Sequence, residues 1–330
     1  MSQDTLHAES SRTGRGAVDR WTDRLAGAGY AAGWRTVSGL PRPVAERAFR
    51  LAADRAARRH GPRTVQLARN YRRVLGDTAT PSTLAAVVGA GMRSYARYWR
   101  ETFQLPGLDH AAVTATATAG TIGLEHLDAA VDAGRGAILA LPHSGNWDVA
   151  GLFVTRRYGA LVTVAERLRP ESLYEQFVAY RESLGMEILP LTGGGAGPSQ
   201  VLKDRLRAGK VVALLADRDL TASGVPVDFF GEPTRMPAGP ALLAATTGAA
   251  LLPVHLSFTD DGWRQVVAPP LQLPGRRLAE QVRGGTQLLA DFFAQEIGEH
   301  PADWHMLQPL WLADLDPERL ARQPADRSAS

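Results

Sequence analysis

The stretch LPHSGNWDVAG, residues 141–151, sets His143 and Asp148 five positions apart, with a serine, a glycine and an asparagine between them. An unperturbed imidazole gains and loses its proton near neutral pH. A carboxylate holding one ring nitrogen fixes the tautomer and leaves the other nitrogen free to take a proton from a hydroxyl. The pair reads as a general base beside its orienting acid. The same residues also fit a plain helix start, with Asn146 as the cap of a helix opening near Trp147 and Asp148 in its first turn, where the helix dipole favours a carboxylate. Two other chemistries have less support. Ser144 is not in a G-x-S-x-G elbow, and His7, His60, His110, His126, His255, His300 and His305 make no H-x-x-x-H or H-E-x-x-H spacing for a metal.

The elements around this stretch decide how it is presented. Residues 137–141 form a short apolar run suited to a buried strand. His143 then falls at the strand's carboxyl end, where open α/β sheets collect functional groups. Further strands are predicted at 160–165, 187–190, 211–216 and 250–258, with helices at 125–133, 170–185, 199–208, 242–247 and 277–299. This alternation predicts an α/β fold, a mixed, mostly parallel sheet flanked by helices. Helices predicted at 44–60, 65–75 and 81–103 place a helical segment before it. The expected organisation is a disordered tail at 1–17, a helical, membrane-facing region at 18–110, an α/β core at 111–315 forming one unit with it, and a second disordered tail at 316–330.

Asp217, Arg218 and Asp219 follow the strand at 211–216 and share the carboxyl-end position of His143, although a structural Asp–Arg pair fits them too. Glu232, in FFGEPTR, is an alternative acid, with Arg235 as an anion-binding partner. Phe229 and Phe230 suit either the wall of an apolar groove or the core. Residues 193–195 are glycines that can bring amides to a phosphate, without Walker spacing.

Charge is unevenly spread. Residues 1–110 carry 18 arginines against nine carboxylates, a net +9, while the remainder carries −6. A basic third with Trp21, Tyr30 and Trp34 among its arginines suits an anionic bilayer surface. No recognisable nucleic-acid module accompanies it, so no nucleic acid is expected as a partner. The chain has no cysteine, which removes disulfides and thiolate metal sites. No apolar run is long enough to span a membrane, and the start of the chain has no signal-peptide core.

Taken in order, YARYWRETFQLP (95–106), LPHSGNWDVAG, AERLRPESLYEQFVAYRESLGMEILPLTGG and LLADRDLTASGVPVDFFGEPTRMPAGPALLA resemble the bacterial lysophospholipid-type acyltransferase superfamily. The likeness is to the branch of the lipid A late acyltransferases, and within it to the phosphatidylinositol mannoside acyltransferases. It runs from about Val18 to Leu312. The resemblance implies an α/β fold with an apolar groove, and transfer of a long-chain acyl group, palmitoyl above all, from acyl-CoA to a mannose hydroxyl of phosphatidylinositol mannoside. Acyl-CoA enters as co-substrate and no further cofactor is expected. The protein is expected to act as a peripheral protein at the cytoplasmic face of the cell membrane, on its anionic inner surface. His143 matches the family's base and Asp148 its HX4D partner. Asp217 matches a second acid that is glutamate in the family, so this chain is a methylene shorter there. Glu166 and Arg181 match polar residues that order the acceptor. Asn146, Arg218, Glu232 and Arg235 complete the candidate substrate-binding set, and amides after Asn146 are candidate oxyanion donors. Two other readings stay open: a related acyltransferase with another lipid acceptor or acyl carrier protein as donor, and an inactive lipid-binding protein.

Overall fold

The computed structural model describes residues 33–34, 36–166, 171–191, 198–219 and 224–315. Both terminal tails, Trp21, Tyr30 and the glycines at 193–195 lie outside the described residues.

Residues 36–39 are helical, and three helices follow: α1 (Arg42–Arg59), α2 (Pro62–Leu75) and α3 (Pro81–Gln104). Each has a proline in its first turn, where the missing N–H is no loss. Pro62 therefore opens α2 rather than merely stopping α1, which ends at His60 in a left-handed conformation. After α4 (His110–Ala119) the α/β part alternates: β1 (Thr121–Ile122), α5 (Leu124–Asp132), β2 (Ala137–Leu141), α6 (Trp147–Tyr158), β3 (Leu161–Ala165), α7 (Glu171–Ser183), β4 (Met186–Pro190), α8 (Pro198–Arg207) and β5 (Val211–Leu215). A hairpin of β6 (Val225–Phe229) and β7 (Glu232–Met236) interrupts the series. It is followed by α9 (Gly239–Thr247), β8 (Ala250–Phe258), β9 (Trp263–Val267) and α10 (Leu278–Glu299).

The main sheet has the order β1-β9-β8-β2-β5-β3-β4, parallel throughout except for the β8–β9 pair, and the β6–β7 hairpin stands apart from it. Neighbouring residues of each strand point to opposite faces, and both faces are covered. Ile138 and Ala140 pack with Leu289, Phe293, Trp304 and Trp311, a cluster that also takes in Leu67 and Tyr71 of α2 and Met92 of α3. Leu139 and Leu141 pack on the other side with Leu127, Leu152, Phe153 and Phe177. The N-terminal helices thus share a core with the sheet.

Five elements carry no clear signal in the sequence: α4, β1, β6, β7 and β9. The sequence of α4, HAAVTATATA, is small residues without an apolar stripe. The hairpin carries Pro226 and Pro233, which read against strand pairing. Trp34 departs from its expected place at a bilayer interface. Its ring stands 4.9 Å from Phe103 and 4.9 Å from Tyr180, so it is half-buried packing between α3 and α7.

Candidate active site

Strands β2 and β5 are parallel neighbours with Leu141 opposite Leu215. The Ala216 amide continues the pairing by donating to the Leu141 carbonyl (2.8 Å). Two residues beyond each paired leucine come His143 and Asp217, so sheet register alone sets these two side by side. The His143 ring Nδ1 lies 2.6 Å from Asp217 Oδ1, and the His143 backbone N–H donates to Oδ2 at 2.9 Å. A carboxylate only accepts, so Nδ1 carries the proton, and in the neutral ring Nε2 keeps its lone pair. The shorter aspartate reaches its histidine because backbone and ring both turn toward it.

Asp217 is completely buried, whereas the His143 side chain is 26% exposed. Burial alone pushes the Asp217 carboxyl up. The charge and hydrogen bond of His143, the indole N–H of Trp304 (2.9 Å) and the His143 amide outweigh it and hold the pKa below the usual carboxylate range.

The loop that carries His143 is stitched to a segment far along the chain. His305 N–H donates to the His143 carbonyl (2.7 Å), Gly145 N–H donates to the Asp303 carbonyl (2.9 Å), and Ser144 bridges Trp304. Gly145 has φ 55°, and a Cβ there would lie 2.7 Å from the carbonyl carbon of Leu256, so only glycine lets the loop pass under β8. Ser144 is fully buried against the Leu256 amide, out of reach of a substrate.

Asp148 does not face His143, which corrects the pairing read from the five-residue spacing. Asn146 Oδ1 caps α6 by accepting from the amides of Asp148 and Val149, both 3.1 Å. That cap turns the Asp148 side chain inward, where it accepts from Arg181 Nε (2.8 Å), Tyr98 Oη (3.1 Å) and Thr102 Oγ1 (3.2 Å). Asp148 therefore ties α6 to α3 and α7. The amides of Asp148 and Val149 are thus taken by the Asn146 side chain. Asn146 itself is buried, with Nδ2 donating to Glu101 (2.8 Å), and serves the loop rather than a ligand.

A cavity of about 420 Å³ opens at His143. Trp147, Tyr95, Tyr98, Trp99 and His305 line it, together with the charged side chains of Glu166, Arg181, Arg218 and Arg63. Arg218 donates to Gln308 (2.6 Å). Inside, the lining is apolar: Leu139 and Leu141 of β2, Leu161 of β3, Met186 and Ile188 of β4, and Phe177 of α7. Glu232 and Arg235 lie elsewhere. Glu232 accepts from Arg73 Nε (2.8 Å), beside the Arg73–Asp314 pair, and Arg235 donates to the Gly224 carbonyl (3.0 Å). Glu232 is therefore not the second acid beside His143. Phe229 stacks on Trp311 at 5.7 Å in the core across the sheet, away from the groove.

Residues 20–313 match the family described as bacterial lipid A biosynthesis acyltransferase. The chain belongs to this family. The acyltransferase is also 54% identical over 296 residues to the phosphatidylinositol mannoside acyltransferase of Mycolicibacterium smegmatis, covering 89% of this chain and 94% of that one. It is 54% identical to the Mycobacterium tuberculosis (strain H37Rv) protein of the same name, over 89% of this chain and 90% of the other. Among the described residues of the acyltransferase no helix is long and apolar enough to cross a membrane.

Trp304 and His305 are absent from the candidate residues read from the sequence. His305 is buried, its Nε2 2.9 Å from Ser94 Oγ, and burial with the nearby His143 charge pushes its pKa down to about 3. It stays neutral beside His143. The signal available was a histidine and two tryptophans close together after the last helix, in DWHMLQPLW.

Proposed function

We propose that this acyltransferase moves a long-chain acyl group, palmitoyl by preference, from acyl-CoA to a mannose hydroxyl of phosphatidylinositol mannoside, with His143 Nε2 as the general base. The observation that carries the reading is a histidine of fixed tautomer at the rim of a buried apolar groove. The register supports the chain length. Ala137, Val211, Leu161 and Met186, the first residues of β2, β5, β3 and β4, pair in one row at the bottom of the sheet. Leu141 stands four residues above that row, roughly 13 Å at the rise of a strand, and His143 lies two residues past the strand's end. An all-trans chain advances about 1.25 Å per bond, from carbon–carbon bonds of about 1.52 Å at about 111°. A groove that runs the length of the strand therefore suits a long acyl chain, of about ten carbons or more.

In the step we infer, His143 Nε2 takes the proton of the sugar hydroxyl as its oxygen attacks the thioester carbonyl. The C–O bond forms, the C–S bond breaks, and the imidazolium returns the proton to the departing thiolate. A thioester is already activated, so no acyl-enzyme is required, and the cysteine-free chain fits direct transfer. General-base assistance of this kind is worth about 10²–10⁴-fold. Arg181 and Glu166 in the lining suit a polyhydroxylated acceptor, and Arg63 and Arg218 suit the phosphates of donor or acceptor.

Action as a peripheral protein on the cytoplasmic face of the membrane belongs to the same proposal. Val44 and Leu51 of α1 are 52% and 57% exposed among Arg47, Arg50 and Arg55, a mix of apolar and cationic side chains that suits an anionic bilayer.

The test is transfer from palmitoyl-CoA to purified phosphatidylinositol mannoside, following free CoA and labelled lipid for wild type and His143→Ala. Acylated lipid from wild type, lost by at least a hundredfold in the variant, is the expected result. CoA release without acylated lipid refutes the acceptor. No turnover from palmitoyl-CoA with any acceptor refutes the donor.

A further inference from the structure

We propose that Met186, its tip seated in the notch left by the missing side chain of Gly151, sets the length of acyl chain the enzyme accepts. The inference rests on the acyl-groove reading above and adds a gauge to it. Gly151 sits in the middle of α6, where glycine costs about 1 kcal/mol relative to alanine. Its φ is not positive, so backbone conformation gives no reason for a glycine. Space does. A Cβ at this position would overlap the ε-methyl of Met186, come within 2.9 Å of its sulfur and stand 3.4 Å from Leu161 Cδ2.

All three residues line the cavity, and Met186 and Leu161 begin β4 and β3 in the row that marks the bottom of the sheet. Met186 is 5% exposed and Leu161 3%, so this end is shut off from solvent while the His143 end is open. An acyl chain entering at His143 and running down the strands meets this pair last. Methionine is unbranched and adaptable, and its position depends on what its neighbours leave it. With glycine opposite, its tip tucks against α6 and the groove in front stays clear. With alanine opposite, the tip must move, and the open side is the groove.

The experiment compares kcat/KM for acyl-CoA donors of 12 to 20 carbons in wild type, Gly151→Ala, Met186→Ala and the double variant, with thermal melts of each. Each buried methylene is worth about 0.8 kcal/mol, or roughly fourfold in kcat/KM. A tip displaced by the length of two carbons changes the preference between neighbouring even-numbered chains by about 15-fold. Gly151→Ala is expected to shift the optimum to shorter donors and Met186→Ala to longer ones. The double variant, with no thioether for the new methyl to displace, is expected to lose the Gly151→Ala shift. Variants that fold and turn over while keeping the wild-type ranking overturn the proposal and leave the groove reading standing. Gly151→Ala removes a helix-destabilising residue, so it keeps the test alive should the cavity left by Met186→Ala prevent folding. A wild type indifferent to chain length overturns both.

Discussion

Replacing Asp217 by asparagine changes three atoms and should disable the proposed base, His143. Asp217 offers two oxygens to three donors: Oδ1 to the His143 ring, Oδ2 to the His143 amide and to the Trp304 indole. The amide and the indole can only donate, so the single oxygen of asparagine must occupy the Oδ2 position. Its NH₂ group then faces Nδ1, which must become the acceptor, and the ring proton moves to Nε2. The nitrogen facing the cavity thereby loses its lone pair. The expected loss is the whole of the proton-transfer assistance, on the order of 10³–10⁴-fold in kcat, or about 4–5.5 kcal/mol on the barrier. KM should hardly move, because Asp217 is completely buried and does not line the cavity. Asp148→Asn is the matched contrast. It weakens a buried contact with Arg181, so it should lower the melting temperature and raise KM while leaving kcat within about tenfold. Steady-state kinetics by CoA release and labelled lipid, with melts of both variants, read kcat, KM and the melting temperature. A kcat for Asp217→Asn within tenfold of wild type, or a larger kcat loss for Asp148→Asn, refutes the reasoning.

Trp304→Phe keeps the aromatic bulk and removes the indole donor from Asp217 Oδ2. A fall of about tenfold in kcat is expected for the lost charge-assisted bond. The depressed pKa of Asp217 stabilises the fold above the unfolded carboxyl value, and that contribution disappears as pH falls through the folded pKa. With one donor gone the folded pKa rises, so acid unfolding of the variant should begin at higher pH than in wild type, as circular dichroism would report; an unchanged acid midpoint goes against this. His255 is fully buried with neither ring nitrogen hydrogen-bonded, beside His300, Arg264 and Glu296, and its pKa is pushed down to about 3, by burial first. Between about pH 6.5 and 3 the unfolded chain takes up a proton that the native site refuses, a loss of about 1.36 kcal/mol per pH unit. His255→Leu should therefore recover about 2 kcal/mol at pH 5 relative to pH 7 in urea denaturation, and an unaltered pH dependence excludes His255 as the source.

Much of the fold is legible because its signals are local. Apolar runs such as AILAL at 137–141 and VVALL at 211–215 declare buried strands, and prolines and Thr80 mark helix starts within a residue or two. The elements that escaped lack such signals. In α4 the alternation of alanine and threonine has no apolar face to read, and β9 is recognisable only through its antiparallel partner β8. The hairpin holds two prolines because it is a two-stranded ribbon outside the main sheet, where a missing N–H costs little.

The site divides along the same line. His143 announces itself by following a strand, and Asp217 does so by following another. What the sequence cannot carry is that these strands are neighbours, since 74 positions separate the two residues. Five-residue spacing made Asp148 the obvious partner, but spacing along a chain fixes neither side-chain direction nor which strand comes to lie beside which. Asn146 settles the direction by capping α6, and β2–β5 register settles the partner. Trp304 is further still from view, because an indole N–H becomes a positioning group only when the segment after α10 folds back over the His143 loop. The HX4D pattern thus encodes two separate tasks. Its histidine belongs to a dyad completed by the sheet, and its aspartate belongs to an anchor, Asp148–Arg181, that holds the helix and the cavity rim in place. Damage to the aspartate should therefore be felt in substrate affinity and stability, and damage to Asp217 in kcat rather than in KM.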